Sequence, residues 1–138
     1  MNQRLTPAQL YAGLVGAVLT VAGIIGFFYS ASFGGPGDVD DVFGILSVNA
    51  WHNLVHLGSG AVGLIAFAAG ARASRTYALA IGLVYIVVAI WGAIIGQDSI
   101  LGFIPVNTED TVLHAILGVV GVAAGLASPE PTAVPTAA

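Results

Sequence analysis

Val48-Asn-Ala-Trp-His-Asn-Leu-Val-His-Leu-Gly-Ser-Gly-Ala-Val-Gly63 returns, fifty-eight positions on, as Val106-Asn-Thr-Glu-Asp-Thr-Val-Leu-His-Ala-Ile-Leu-Gly-Val-Val-Gly121. Val48, Asn49, His56, Gly60, Val62 and Gly63 are matched by Val106, Asn107, His114, Gly118, Val120 and Gly121. A second correspondence lies upstream of each stretch. Tyr11, Ala12, Gly16, Val18, Val21, Ile24 and Gly26 recur as Tyr77, Ala78, Gly82, Val84, Val87, Ile90 and Gly92. The chain therefore reads as two helix pairs in tandem, with one histidine of each pair at the same height.

The surrounding composition sets the solvent. The 138 residues are 57% hydrophobic and 7% charged, with a mean hydropathy of +0.96. Globular domains carry roughly a quarter charged residues, so lipid is the expected medium, with room for about four spans of roughly 20 residues. The expected fold is an all-α integral membrane four-helix bundle, with spans at about 7–29, 50–70, 76–96 and 109–127. Thr6 is the expected cap of the first span, with Pro7 preset for its first turn. Asn107 or Thr108 caps the fourth, and Glu109 and Asp110 suit its positive end. The stretches Phe33–Val42 and Gln97–Thr108 read as loops, Ala71–Arg75 as a tight connector, and residues 128–138 as a disordered Pro/Ala tail. A cleaved signal at Tyr29-Ser-Ala-Ser32 is rejected, because the first span is too long for a signal core and has its counterpart in the third.

Two tandem pairs share one orientation, since an even number of crossings returns the chain to its starting side. A pseudo-two-fold axis along the membrane normal is expected. Arg4, Arg72 and Arg75 fall on one side, and Asp38, Asp40, Asp41, Asp98, Glu109 and Asp110 on the other. The positive-inside rule then puts both termini in the cytoplasm of a multi-pass plasma-membrane protein. Three arginines cannot make a nucleic-acid footprint, and the absence of cysteine excludes disulfides and thiolate metal sites. The bilayer is one partner; other membrane proteins or further copies of this chain are the remaining ones to consider.

Steps of three and four place His52, His56, Gly60, Gly63, Ala66 and Gly70 on one face of the second span, and Asp110, His114, Gly118, Gly121 and Gly125 on one face of the fourth. Small residues at that spacing let helices approach closely in lipid, so these faces point inward. His56 and His114 each lie seven residues beyond an opening asparagine, at roughly 10 Å depth. With the two helices diagonal in the bundle, their axes stand roughly 13 Å apart, which leaves room for something held between two imidazoles.

At these residues the chain resembles an uncharacterised family of small four-helix bacterial and archaeal membrane proteins, known as domain of unknown function 4383. The resemblance rests on Asn49-Ala-Trp-His-Asn-Leu-Val-His56 with Gly60, the Arg-flanked Tyr77, and Ile104-Pro-Val-Asn-Thr-Glu-Asp-Thr-Val-Leu-His114. Thr111 stands where family members often have asparagine. The resemblance implies the four-helix fold and no particular chemistry.

Four readings of the polar face remain open. In the first, His56 and His114 are structural glue in a scaffold or accessory subunit. In the second, His52, His56, Asp110 and His114 ligate a divalent transition metal: zinc, iron or copper(II). In the third, His56 and His114 hold haem b for electron transfer, although every arginine lies at the opposite membrane face, away from any propionate. The fourth is a transporter or proton relay, for which no mid-span carboxylate or lysine is available. No nucleophile motif surrounds Ser47, Ser59, Ser99 or Thr20, and no catalytic residue is assigned; Asp38, Asp40 and Asp41 lack the pattern of a calcium loop.

Overall fold

The computed structural model describes residues 4–35, 38–96 and 98–129. Four long helices dominate: α1 (Pro7–Tyr29), α2 (Ala50–Ala69), α3 (Ala71–Ile95) and α4 (Thr108–Ala127). All four are long and apolar enough to cross a membrane. The protein is a multi-pass membrane protein, and the expectation of an all-α bundle holds.

Local sequence explains the helix starts. Thr6 Oγ1 accepts from Gln9 N–H at 3.2 Å while Gln9 Oε1 accepts from Thr6 N–H at 3.1 Å, a reciprocal cap reinforced by Pro7 in the first turn. Asn49 and Asn107 cap α2 and α4, each accepting through its side-chain oxygen, and at Asn107 the Asp110 side chain completes the reciprocal bond. The connector expected at Ala71–Arg75 is helical instead. Gly70, at φ 101°, takes the whole reversal in one residue, so α3 can begin at once. Ser74 Oγ then closes the corner by donating to Ala66 O at 3.0 Å.

A short hairpin begins at the end of the first expected loop and runs past Val42, and another lies within the second. β1 (Asp40–Val42) pairs with β2 (Leu46–Val48), and β3 (Ser99–Ile100) with β4 (Ile104–Pro105), both antiparallel. The turns carry consecutive positive φ values, 54° and 69° at Phe43 and Gly44, 56° and 78° at Leu101 and Gly102. Such a pair twists a tight hairpin in the favoured sense. Phe43 and Leu101 occupy corresponding positions, so the same unusual backbone is used twice. The tail expected from residue 128 is fixed at its first residue: Ser128 Oγ accepts from Ala8 N–H at 2.9 Å and donates to Ala124 O at 2.8 Å. This satisfies an amide at the start of α1, where helices leave N–H groups unpaired. Residues 130–138 of that tail lie outside the described residues.

Packing follows an inverted size rule. Leu14, Val18, Ile65, Ile94 and Leu126 are exposed, whereas the interior is made of Ala8, Ala12, Ala66, Ala78, glycines and tyrosines. In lipid, outward aliphatic side chains have nothing to gain from burial, and backbone proximity drives association. A Cβ on Gly16 would stand 2.8 Å from Leu64 N, and one on Gly82 would stand 2.7 Å from Val122 N. Thus α1 packs closely on α2, and α3 on α4, at corresponding contacts. The pairs are joined along the centre by Tyr11 and Tyr77, whose rings are 6.3 Å apart. Tyr11 donates its hydroxyl proton to Leu117 O at 2.9 Å, and Tyr77 donates to Ser59 O at 3.1 Å. Each tyrosine therefore reaches from one pair into the other. Removing either hydroxyl by Tyr→Phe is expected to lower stability by about 1 kcal/mol, and removing both by about twice that, measured as melting of the helical signal in detergent.

Candidate functional site: a three-histidine cluster under a hairpin lid

The two hairpins meet side by side at the end of the bundle remote from the arginines. Their attachment is crossed. Asn49, which caps α2, donates through Nδ2 to Phe103 O at 2.7 Å in the second hairpin; Asn107, which caps α4, donates to Ile45 O at 2.6 Å in the first. Each cap residue thus does two jobs, starting its own helix and holding the other pair's hairpin over the interior.

Beneath this lid lie His52, His56 and His114. His52 and His114 are buried, and His56 is half-buried. One nitrogen from each ring can be chosen so that all three lie within 4.8 Å of one another. The ring centroids are 4.4 Å apart for His52 and His56, 6.0 Å for His52 and His114, and 6.2 Å for His56 and His114. Tyr85 from α3 stacks on His114 at 5.1 Å with the planes only 22° apart. That flat contact holds the His114 ring from behind.

Hydrogen bonds orient the cluster. His52 Nδ1 lies 2.8 Å from Ser47 O. A carbonyl only accepts, so Nδ1 carries the proton and Nε2 presents its lone pair. That lone pair faces His56 Nε2 at 3.1 Å. His114 Nδ1 is buried with no hydrogen-bond partner among the described residues. An unpartnered buried nitrogen is uncommon in a purely structural role, because leaving it unmet costs about 1–3 kcal/mol.

Asp110 is not one of the clustered ligand groups. Its Oδ2 accepts from Ser47 N–H at 3.1 Å and from Asn107 N–H at 3.2 Å. The carboxylate thereby links α4 to the strand whose carbonyl orients His52. The structure brings His52, His56 and His114 together and places Asp110 in the supporting frame.

A cavity of about 80 Å³ adjoins the rings, lined by all three histidines with Ser59 and Tyr85. A single ion fits this scale. An ordinary pocket for a larger organic ligand has roughly 300 Å³ or more, several times this volume.

A family model described as Domain of unknown function (DUF4383) matches residues 9–127. The chain belongs to this family. No curated protein and no solved structure matches it. The matched range takes in α1 from Gln9 on, the other three helices, both hairpins and every residue of the cluster.

Sequence periodicity had placed each histidine on an inward face but said nothing of Ser47 or Tyr85. Tyr85 was within reach, since Ala78, Gly82, Tyr85, Ala89 and Gly92 make one buried stripe. Ser47 was not, because its role belongs to its backbone, and only the hairpin turn aims that carbonyl at His52.

Proposed function

We propose that this membrane protein binds a divalent transition-metal ion through His52, His56 and His114. The carrying observation is the convergence of three imidazoles under a lid, one with its nitrogen left unpartnered. Two metal–nitrogen bonds of 2.0–2.1 Å at a tetrahedral angle separate the nitrogens by about 3.3 Å, close to the 3.1 Å between His52 and His56. The Ser47 carbonyl holding Nδ1–H of His52 is the outer-sphere arrangement that leaves Nε2 free to ligate. Three protein ligands leave a position open to a further ligand, and nitrogen donors suit zinc, iron or copper(II).

The test is elemental analysis of the full chain purified in mild detergent, with titration of zinc against a chromophoric chelator. One ion per chain, displaced by excess chelator, is the expected result. Sub-stoichiometric metal that does not respond to the histidines would remove the proposal. Asp110→Ala is expected to weaken zinc by about tenfold, since its carboxylate acts through Ser47 on the orientation of His52, and Asp110→Asn is expected to restore much of the loss.

A second reading has one observation in its favour. The 3.1 Å His52–His56 contact also suits an N–H···N hydrogen bond, as in a structural or accessory subunit held by histidine glue. A metal-free protein whose histidine variants lose only stability would support it.

The tandem-pair origin is supported by the recurrence of corresponding contacts, Tyr11 to Leu117 with Tyr77 to Ser59 and Asn49 to Phe103 with Asn107 to Ile45. Placement in the plasma membrane with both termini cytoplasmic rests on the arginines at the α1 start and the α2–α3 corner. A reporter fused to either end is expected to be active only when cytoplasmic, and one inserted at Gly44 only when external.

A further inference from the structure

A cavity of about 410 Å³ lies on the opposite flank of the histidine cluster, between α1 and the first hairpin. Its walls are apolar, from Ala17, Val21, Ala22, Ile25 and Phe43 among others, and among the described residues its only polar side chains are His56 and Asp110. It corresponds to the small cavity beside His114. Val18, Ala22, Val48, His56 and Asp110 here match Val84, Val88, Val106, His114 and His52 there. Ala22 lines the larger cavity where α3 carries the bulkier Val88, which lines the smaller one. One flank is filled by the chain's own side chains, and the other is hollowed out.

We infer that the larger cavity binds a membrane-soluble molecule with an aliphatic body and a hydroxyl head, the head lying between Asp110 and His56. The body follows from the apolar walls. The head follows from the two polar groups: Asp110 Oδ2 already takes both of its amide donors, and no hydrogen bond reaches Oδ1 among the described residues. A hydroxyl donates to that oxygen and also pairs with His56 whichever of its nitrogens carries the proton. An ether of the same shape leaves the carboxylate unmet. An anionic head is disfavoured beside Asp110. This inference rests on the cavity and its lining, and stands whether or not the three histidines hold an ion.

The experiment uses the full chain in lipid nanodiscs with a diazirine-bearing fatty alcohol, or its methyl ether, followed by photolysis and peptide mapping. The alcohol is expected to label 17–25 and the turn at Phe43 about tenfold more than the ether, and unlabelled alcohol is expected to compete. Ala17→Leu with Ala22→Val, which copies the corresponding residues of α3, is expected to abolish the labelling while leaving zinc stoichiometry unchanged. Equal labelling by alcohol and ether, or label spread over every lipid-facing helix surface, overturns the inference and leaves ordinary lipid packing. Competition on the unaltered chain is read separately, so a poorly folded double variant does not decide the matter. Loss of zinc binding in His52→Ala and His114→Ala with labelling retained would separate this site from the metal centre.

Discussion

His114→Ala is expected to weaken zinc binding by about 100-fold or more, and His52→Ala and His56→Ala by similar factors. Structural zinc sites with four ligands bind with roughly 10–16 kcal/mol, about 3 kcal/mol for each ligand, and 1.4 kcal/mol is a factor of ten. The three variants should differ in stability even where they agree in affinity. His114 Nδ1 has no partner among the described residues, so in metal-free protein its removal leaves no hydrogen bond unmade. His52→Ala, by contrast, frees the Ser47 carbonyl and is expected to lower the melting point of the metal-free protein. Chelator competition and melting of the same samples read the two effects apart. If all three substitutions left zinc affinity within a factor of two, the metal reading would be wrong and the rings would be structural.

Gly82→Leu is expected to destabilise the bundle by about 3 kcal/mol or more, with Gly16→Leu close behind. At both positions the added Cβ meets backbone: Val122 N at 2.7 Å for Gly82 and Leu64 N at 2.8 Å for Gly16. Backbone cannot rotate away as a flexible side chain can. The helices must separate, and in lipid no hydrophobic drive returns them. Gly58→Leu is the matched control, because a Cβ there meets nothing within 4 Å and the helix gains by losing a glycine. Thermal melting of the helical signal in detergent, with elution volume as a check on assembly, should order the three variants as Gly82, Gly16, then Gly58 near or above the parent. Equal melting points for Gly82→Leu and Gly58→Leu would mean that the tight seams contribute little.

Much of the frame is legible in the sequence. Thr6, Asn49 and Asn107 announce helix starts because a side-chain oxygen beside an apolar run satisfies amides that the helix cannot. The inward faces were legible because glycine and histidine recur at steps of three and four on helices whose other faces are aliphatic. Other features were not. Ala71–Arg75 reads as a polar connector, yet one glycine at φ 101° takes the reversal and leaves the rest helical. The hairpins hide because Phe43-Gly44 and Leu101-Gly102 lack the Asn-Gly or Asp-Gly signal, and neighbours hold Phe43 and Leu101 at positive φ against their own preference. Asp110 reads equally as a ligand or as a first-turn acid; its place near Ser47 depends on where the other helix pair sets its hairpin.

The sequence by itself determined four apolar helices, their caps, the small-residue seams between them and the inward turn of His52, His56 and His114. These follow from hydrophobic pattern and capping chemistry, which act over a few neighbouring residues. Only the tertiary structure decided that the three rings meet, that Ser47 and Asp110 frame them, and that one flank is open while its counterpart is filled. Those depend on which helix lies against which and on crossed hydrogen bonds between residues some sixty positions apart, such as Asn107 to Ile45, and no local pattern encodes that distance.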